Sequence, residues 1–159
     1  MKLIFAFTTA LFLYFQSGDL SVLRNSYTQA NLSNTNTQNF INTAEKQSGT
    51  DAITIGYKAA AKIMEAKIAK KGRPALVKEG ATSLESVITK NPNNIELRLI
   101  RMSIQENLPK IVGYRSSLKT DKTFILKNYN KQNTAMKSYI KNFISQSKTM
   151  SALEKSSLK

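Results

Sequence analysis

The sequence predicts an all-α fold in which antiparallel helical hairpins stack as a small α-solenoid of about six to seven helices. Three observations carry that expectation. Apolar residues recur at intervals of three and four along most of the chain, the period of helices with a buried stripe. The stretch Asn91-Pro92-Asn93-Asn94-Ile95-Glu96 reads as a stop and restart between two such segments. Asn91 can take the left-handed conformation at a helix end, Pro92 cannot continue the helix, and Asn93 or Asn94 can cap the next one. Segment starts near Asp51, Asn94 and Lys131 then place hairpins at intervals of roughly 40 residues, within the range of helical solenoids.

The chain opens with Met1-Lys2 and an apolar run from Leu3 to Phe15, broken only by Thr8 and Thr9. At about 1.5 Å per residue this run reaches about 20 Å, short of a hydrocarbon core of about 30 Å. Residues 1–17 therefore read as an export signal whose removal leaves no stable transmembrane span, and the expected destination is periplasmic or extracellular, with association to the envelope open. The sequence contains no cysteine, so neither a disulfide framework nor lipid attachment through cysteine is available. Residues 18–148 are expected to form one helical-repeat domain, and 149–159 a basic, frayed tail.

Leu20, Leu23, Tyr27 and Ala30 form the first apolar stripe. Residues 31–39 are rich in Asn, Ser and Thr, whose side chains compete for backbone amides, so a loop is expected there. It leads into a weak second helix marked by Phe40, Ile41 and Ala44. The third segment has Thr50 or Asp51 as cap, Ile53, Tyr57, Ala60 and Met64 on one face, and Gly72 as its stop. Gly56, Ala59, Ala60, Ala61, Ala66 and Ala69 on it permit close approach of another helix. Lys58, Lys62, Lys67, Lys70, Lys71 and Arg73 form its solvated charged surface. The fourth begins with Pro74, tolerated in a first turn, and places Leu76, Val77, Gly80, Ala81, Leu84, Val87 and Ile88 on one side.

The fifth segment, residues 95–108, has two apolar faces: Ile95, Leu99 and Met102 on one, Leu97, Ile100, Ile104 and Leu108 nearly opposite. Between them runs a polar stripe of Arg98, Arg101 and Gln105. Cations so placed require partners or water, because an unpaired buried charge costs several kcal/mol. Arg98, Arg101, Gln105 and the nearby Tyr114 are accordingly candidate ligand- or partner-binding residues; internal pairing of the arginines with Glu96, Glu106 or Asp121 is the structural alternative. Pro109 ends the helix, and Gly113 supplies a flexible turn. A sixth helix carries Leu118, Ile125 and Tyr129, with Ser117 or Thr120 as cap. A seventh, from about Lys131 to Ser147, turns Met136, Ile140, Phe143 and Ile144 inward.

Lysine and arginine total 24 against 10 acids, and the segment from Lys110 to the end holds eleven of those bases with two acids, Asp121 and Glu154. That field favours anionic partners, and Lys137, Lys141 and Lys148 are candidate contacts with lipid headgroups or acidic polysaccharide. Nucleic acid is disfavoured, since the bases are not interleaved with an aromatic stacking platform. The absence of histidine and cysteine removes the usual general base, thiol nucleophile and zinc ligands. No catalytic residue, metal site or cofactor is assigned; paired carboxylates, as in a hydrolase, are the remaining route to catalysis.

The segment from Ser83 through Asn91-Pro92 to Glu96, with Gly80, Leu84 and Val87 before the proline, resembles the junction between tetratricopeptide repeats. It covers about one junction of the chain, and the first helix of the unit lacks the family's aromatic-Leu-Gly arrangement. The resemblance implies a stacked helical surface that binds another protein, with no catalytic residues. The run from the junction through Arg101, Gln105 and Gly113-Tyr114 is also similar to exported bacterial helical proteins, and that resemblance implies no activity. The expected function is an exported, non-catalytic module for protein interaction or scaffolding in the cell envelope; alternatives are an electrostatic binder of an anionic surface and a carboxylate-dependent hydrolase.

Overall fold

The computed structural model describes residues 20–158; the expected signal at 1–17 lies outside them. The regular structure among the described residues is helical. Helix α1 covers 20–29 and is followed by α2 (Asn34–Glu45), α3 (Ala52–Ile68), α4 (Arg73–Lys90) and α5 (Ile95–Asn107). After a 3-10 turn at Lys110–Val112 come α6 (Leu118–Asn128), a second 3-10 turn at Tyr129–Lys131, α7 (Thr134–Ser145) and α8 (Ala152–Ser156). The described residues thus hold eight helices, more than the six to seven expected.

The added helix is α8, and α2 begins earlier than expected. The expected loop at 31–39 is mostly helix, because its polar side chains work as caps. Ser33 Oγ accepts from the Asn36 amide at 3.0 Å, and Thr37 Oγ1 donates to the Ala30 carbonyl at 2.7 Å. At the other end, the tail is folded rather than frayed. Met150 and Leu158 are buried, Ser151 and Glu154 form a capping box, and Lys122 pairs with Glu154 at 2.8 Å. Glu106 anchors the entry to this tail, accepting from Ser147 Oγ at 2.8 Å and from the Lys148 and Thr149 amides at 3.1 Å each.

The α4–α5 turn uses the expected residues with one change. Asn94 caps α5, accepting from the Glu96 and Leu97 amides at 3.0 and 3.1 Å. Asn91 is not left-handed (φ −132°, ψ 60°); its side-chain amide instead donates to the Val87 carbonyl at 2.9 Å. Gly72 does not stop α3, which ends four residues earlier at Ile68; it is the N-cap residue of α4.

Helix α5 lies between two cores. Leu97, Ile100 and Ile104 join a cluster with residues of α1 to α4, while Ile95, Leu99 and Met102 join one with α6, α7 and the tail. Helix α7 closes back on α1, since the Phe143 ring stacks on Tyr27 with centroids 5.3 Å apart. The α3–α4 hairpin is tight at Gly80: a Cβ there would lie 2.6 Å from the Ala59 carbonyl oxygen and 2.6 Å from Ile63 Cγ1. Valine at this position is expected to cost about 2–3 kcal/mol, because overpacking against a helix backbone has no flexible atom to absorb it. Urea denaturation of Gly80→Val measures this, and an unchanged midpoint would show that the hairpin can part without loss.

Candidate functional site

The arginine stripe of α5 is consumed internally. Arg101, 5 % exposed, forms a bidentate pair with Asp121 of α6: Nε donates to Oδ2 and Nη2 to Oδ1, both at 2.7 Å. Its Nη1 donates to Glu85 of α4, whose other oxygen accepts from Tyr114 Oη at 2.6 Å. Arg98 reaches Asp121 at 3.1 Å and the Pro92 carbonyl at 3.0 Å, and its guanidinium lies over the Phe124 ring, 5.0 Å from the centroid. Burial opposes the charge of Arg101, but the Asp121 hydrogen bonds outweigh it and hold its pKa above the usual range. Gln105 is wholly buried; its oxygen accepts from the Ser117 amide at 3.1 Å, and its Nε2 has no partner among the described residues. The stripe therefore joins α4, α5, α6 and the 113–117 segment.

A second buried network joins α1, α3, α5 and α7. Glu96 accepts from Arg24 at 2.8 and 2.7 Å and from Tyr57 Oη at 2.7 Å, and Tyr57 Oη lies 2.7 Å from Tyr139 Oη. The hydrogen bond to Glu96 raises the Arg24 pKa above its usual range. Burial raises the Tyr57 hydroxyl well above the ordinary tyrosine value, and the neighbouring Tyr139 and Glu96 add to it. Both networks tie helices together through largely buried, charge-assisted hydrogen bonds.

The concave feature lies elsewhere, between α3, α4, the C-terminal end of α5 and the 3-10 turn that follows. It is a groove of about 900 Å3, within the roughly 300–1,000 Å3 typical of small-molecule sites. Its wall includes Ile63, Met64, Val77, Ala81, Ile104 and Leu108. Ile111 and Val112 project from the turn, and Ile111 is 95 % exposed. That turn is bounded by Pro109 and by Gly113, whose φ of 75° suits glycine. The ionisable groups of the wall are Lys67, Arg73, Lys78 and the Tyr114 phenol; no carboxylate lines it. Among the described residues none of these three cations is in a salt bridge. Lys67 reaches the Asn31 carbonyl at 3.4 Å, and Arg73 bonds the Ala69 carbonyl at 2.8 Å.

Of the four residues expected to bind a partner, Tyr114 alone lines the groove; Arg98, Arg101 and Gln105 lie in the helix junction. The three lysines expected to meet an anionic surface divide as well. Lys141 is exposed on α7, Lys137 leans over the Tyr129 ring at 5.7 Å, and Lys148 donates to Asn107, a wall residue of the groove, at 2.9 Å. Of the cations that line the groove, Lys67 and Arg73 are expected from the sequence as solvated surface. No signal in the linear pattern unites the three, since Lys67 is on α3 while Arg73 and Lys78 are on α4.

No helix of the described residues is long and apolar enough to cross a membrane. Comparison of the chain with family models, curated proteins and solved structures finds no match.

Proposed function

We propose that the protein is an exported, non-catalytic binding module of the cell envelope, built from stacked tetratricopeptide-like hairpins, that takes its ligand in the α3–α4 groove. The observation that carries this reading is the groove itself: a concave, mostly apolar wall with cations at its edge and no acid. Export rests on the leader-like residues 1–17, and the stacking on the α3–α4 and α5–α6 pairs. The lack of a carboxylate in the wall favours binding over carboxylate-dependent hydrolysis. Consumption of Arg98 and Arg101 by Asp121, Glu85 and Pro92 favours a structural role for them.

The test is occlusion. Ala81 is a partly buried wall residue of α4, and tryptophan there would fill the groove. A neutral apolar dye, Nile red, should fluoresce with the wild type and bind Ala81→Trp at least about tenfold more weakly, with the helical circular dichroism and melting point of the variant checked in parallel. Equal dye binding by a folded Ala81→Trp protein would remove the groove as the site.

A further inference from the structure

The chemistry of the groove specifies more than an apolar ligand. We infer that it accepts a single-chain anionic lipid, with the acyl chain along the Ile63, Val77 and Leu108 wall and the headgroup among Lys67, Arg73 and Lys78. The inference rests on the groove reading above and adds the ligand class to it.

Charge complementarity identifies one end of the ligand. Three exposed cations from two helices line the groove, and the wall offers no carboxylate to neutralise them. A carboxylate or phosphate there would accept charge-assisted hydrogen bonds, while a cationic amphiphile would meet like charge. The rest of the wall identifies the other end. A peptide would bring backbone N–H and C=O groups that need partners once desolvated. The polar wall groups are largely engaged: Tyr114 Oη with Glu85, and Asn107 with the Ser103 carbonyl at 3.0 Å and with Lys148 at 2.9 Å. An alkyl chain makes no such demand. Ile111, among the most exposed large apolar side chains of the described residues, stands on the lip where a chain leaving the wall would pass, on a turn bounded by proline and glycine.

Titration calorimetry on the full chain tests the assignment with decanoate, dodecanoate and tetradecanoate, each below its micelle concentration, alongside dodecyl phosphate, 1-dodecanol and an apolar peptide with a free C-terminal carboxylate. Dodecanoate and dodecyl phosphate should bind one to one, and each added methylene should tighten binding about fourfold until the groove is filled. Dodecanol should bind about tenfold or more weakly, the loss of charge-assisted hydrogen bonds. Charge reversal of the three cations (Lys67→Glu, Arg73→Glu and Lys78→Glu together) should remove the preference for dodecanoate over dodecanol. Preference for phosphate over carboxylate, or the reverse, then assigns the headgroup.

Several results would overturn the assignment. Equal binding of dodecanoate and dodecanol, unaffected by charge reversal, removes the headgroup claim and leaves the apolar groove standing. Tighter binding of the peptide, or a dimer that dodecanoate does not dissociate, replaces the lipid with another occupant. No binding of any amphiphile while Nile red still binds refutes the lipid alone, whereas loss of Nile red binding as well refutes the groove itself.

Discussion

Asp121→Ala should destabilise the protein by about 3–5 kcal/mol, the cost of leaving a buried cation without its partner. Asp121 has no exposed surface, and it receives two hydrogen bonds from Arg101 and one from Arg98. Its removal strands Arg101, which is too enclosed to recover full hydration. Glu85 keeps only one contact with that guanidinium and sits at the half-exposed outer edge of the network. A compensating pair, Asp121→Leu with Arg101→Met, should recover at least half of the loss, because well-packed apolar groups often replace a buried ion pair at little cost. Urea denaturation of the single and double variants measures both effects. A loss below about 1 kcal/mol for Asp121→Ala would show that water reaches Arg101 and that the stripe is more open than described.

Alkaline solution should unfold the protein in a tyrosine-linked transition above about pH 10. Tyr27 and Tyr57 are 2 % and 0 % exposed, and burial raises both hydroxyls above the ordinary tyrosine range; Tyr114 and Tyr139 are raised as well, also chiefly by burial. The sign follows from which state holds the proton. Below the unfolded pKa of about 10 both states are neutral and the contribution is fully present. Above it the unfolded chain releases protons that the folded chain retains, so stability falls as pH rises toward the folded pKa. Each retained proton costs about 1.4 kcal/mol per pH unit, or about 3 kcal/mol per unit for Tyr27 and Tyr57 together. Against a typical domain stability of about 5–15 kcal/mol, these two alone need about two to five units above pH 10, and with Tyr114 and Tyr139 retaining protons as well about one to three units suffice. Tyrosinate absorbance and helical circular dichroism should change together. Full tyrosinate absorbance at the ordinary pKa with helices intact would contradict the buried Tyr57–Glu96–Tyr139 arrangement.

The two-faced character of α5 was legible because a helix between two cores must carry apolar residues on both sides, and its period of 3.6 displays them directly in the sequence. The arginine stripe was legible for the same reason, since Arg98 and Arg101 occupy the narrow remaining sector. Their partners were only partly so. Asp121 stood among the expected acids, but Glu85 lies 16 residues before Arg101 on a helix whose polar face gave no sign of turning toward it. The order of the tail is not legible in the sequence, because Met150 and Leu158 are isolated apolar residues with no helical stripe between them; the Glu106 carboxylate gathers the amides of 148 and 149 at its entry. Helix α2 was underestimated because Asn, Ser and Thr lower helix propensity in the interior while favouring the start, and Ser33 sits at that start. The groove was not legible at all. Its wall comes from three helices and a turn, and its cations look like ordinary solvated lysine and arginine until α3 and α4 pack at Gly80.

Binding is proposed at the α3–α4 groove and not at the arginine stripe of α5. Methyl and amide NMR spectra of the isotopically labelled protein, recorded while dodecanoate is added, distinguish the two. Signals of Ile63, Val77, Leu108 and Ile111 should move in step with saturation while those of Leu99, Arg101 and Asp121 stay in place. Shifts centred on Arg98, Arg101 and Asp121, or none that saturate, would contradict it.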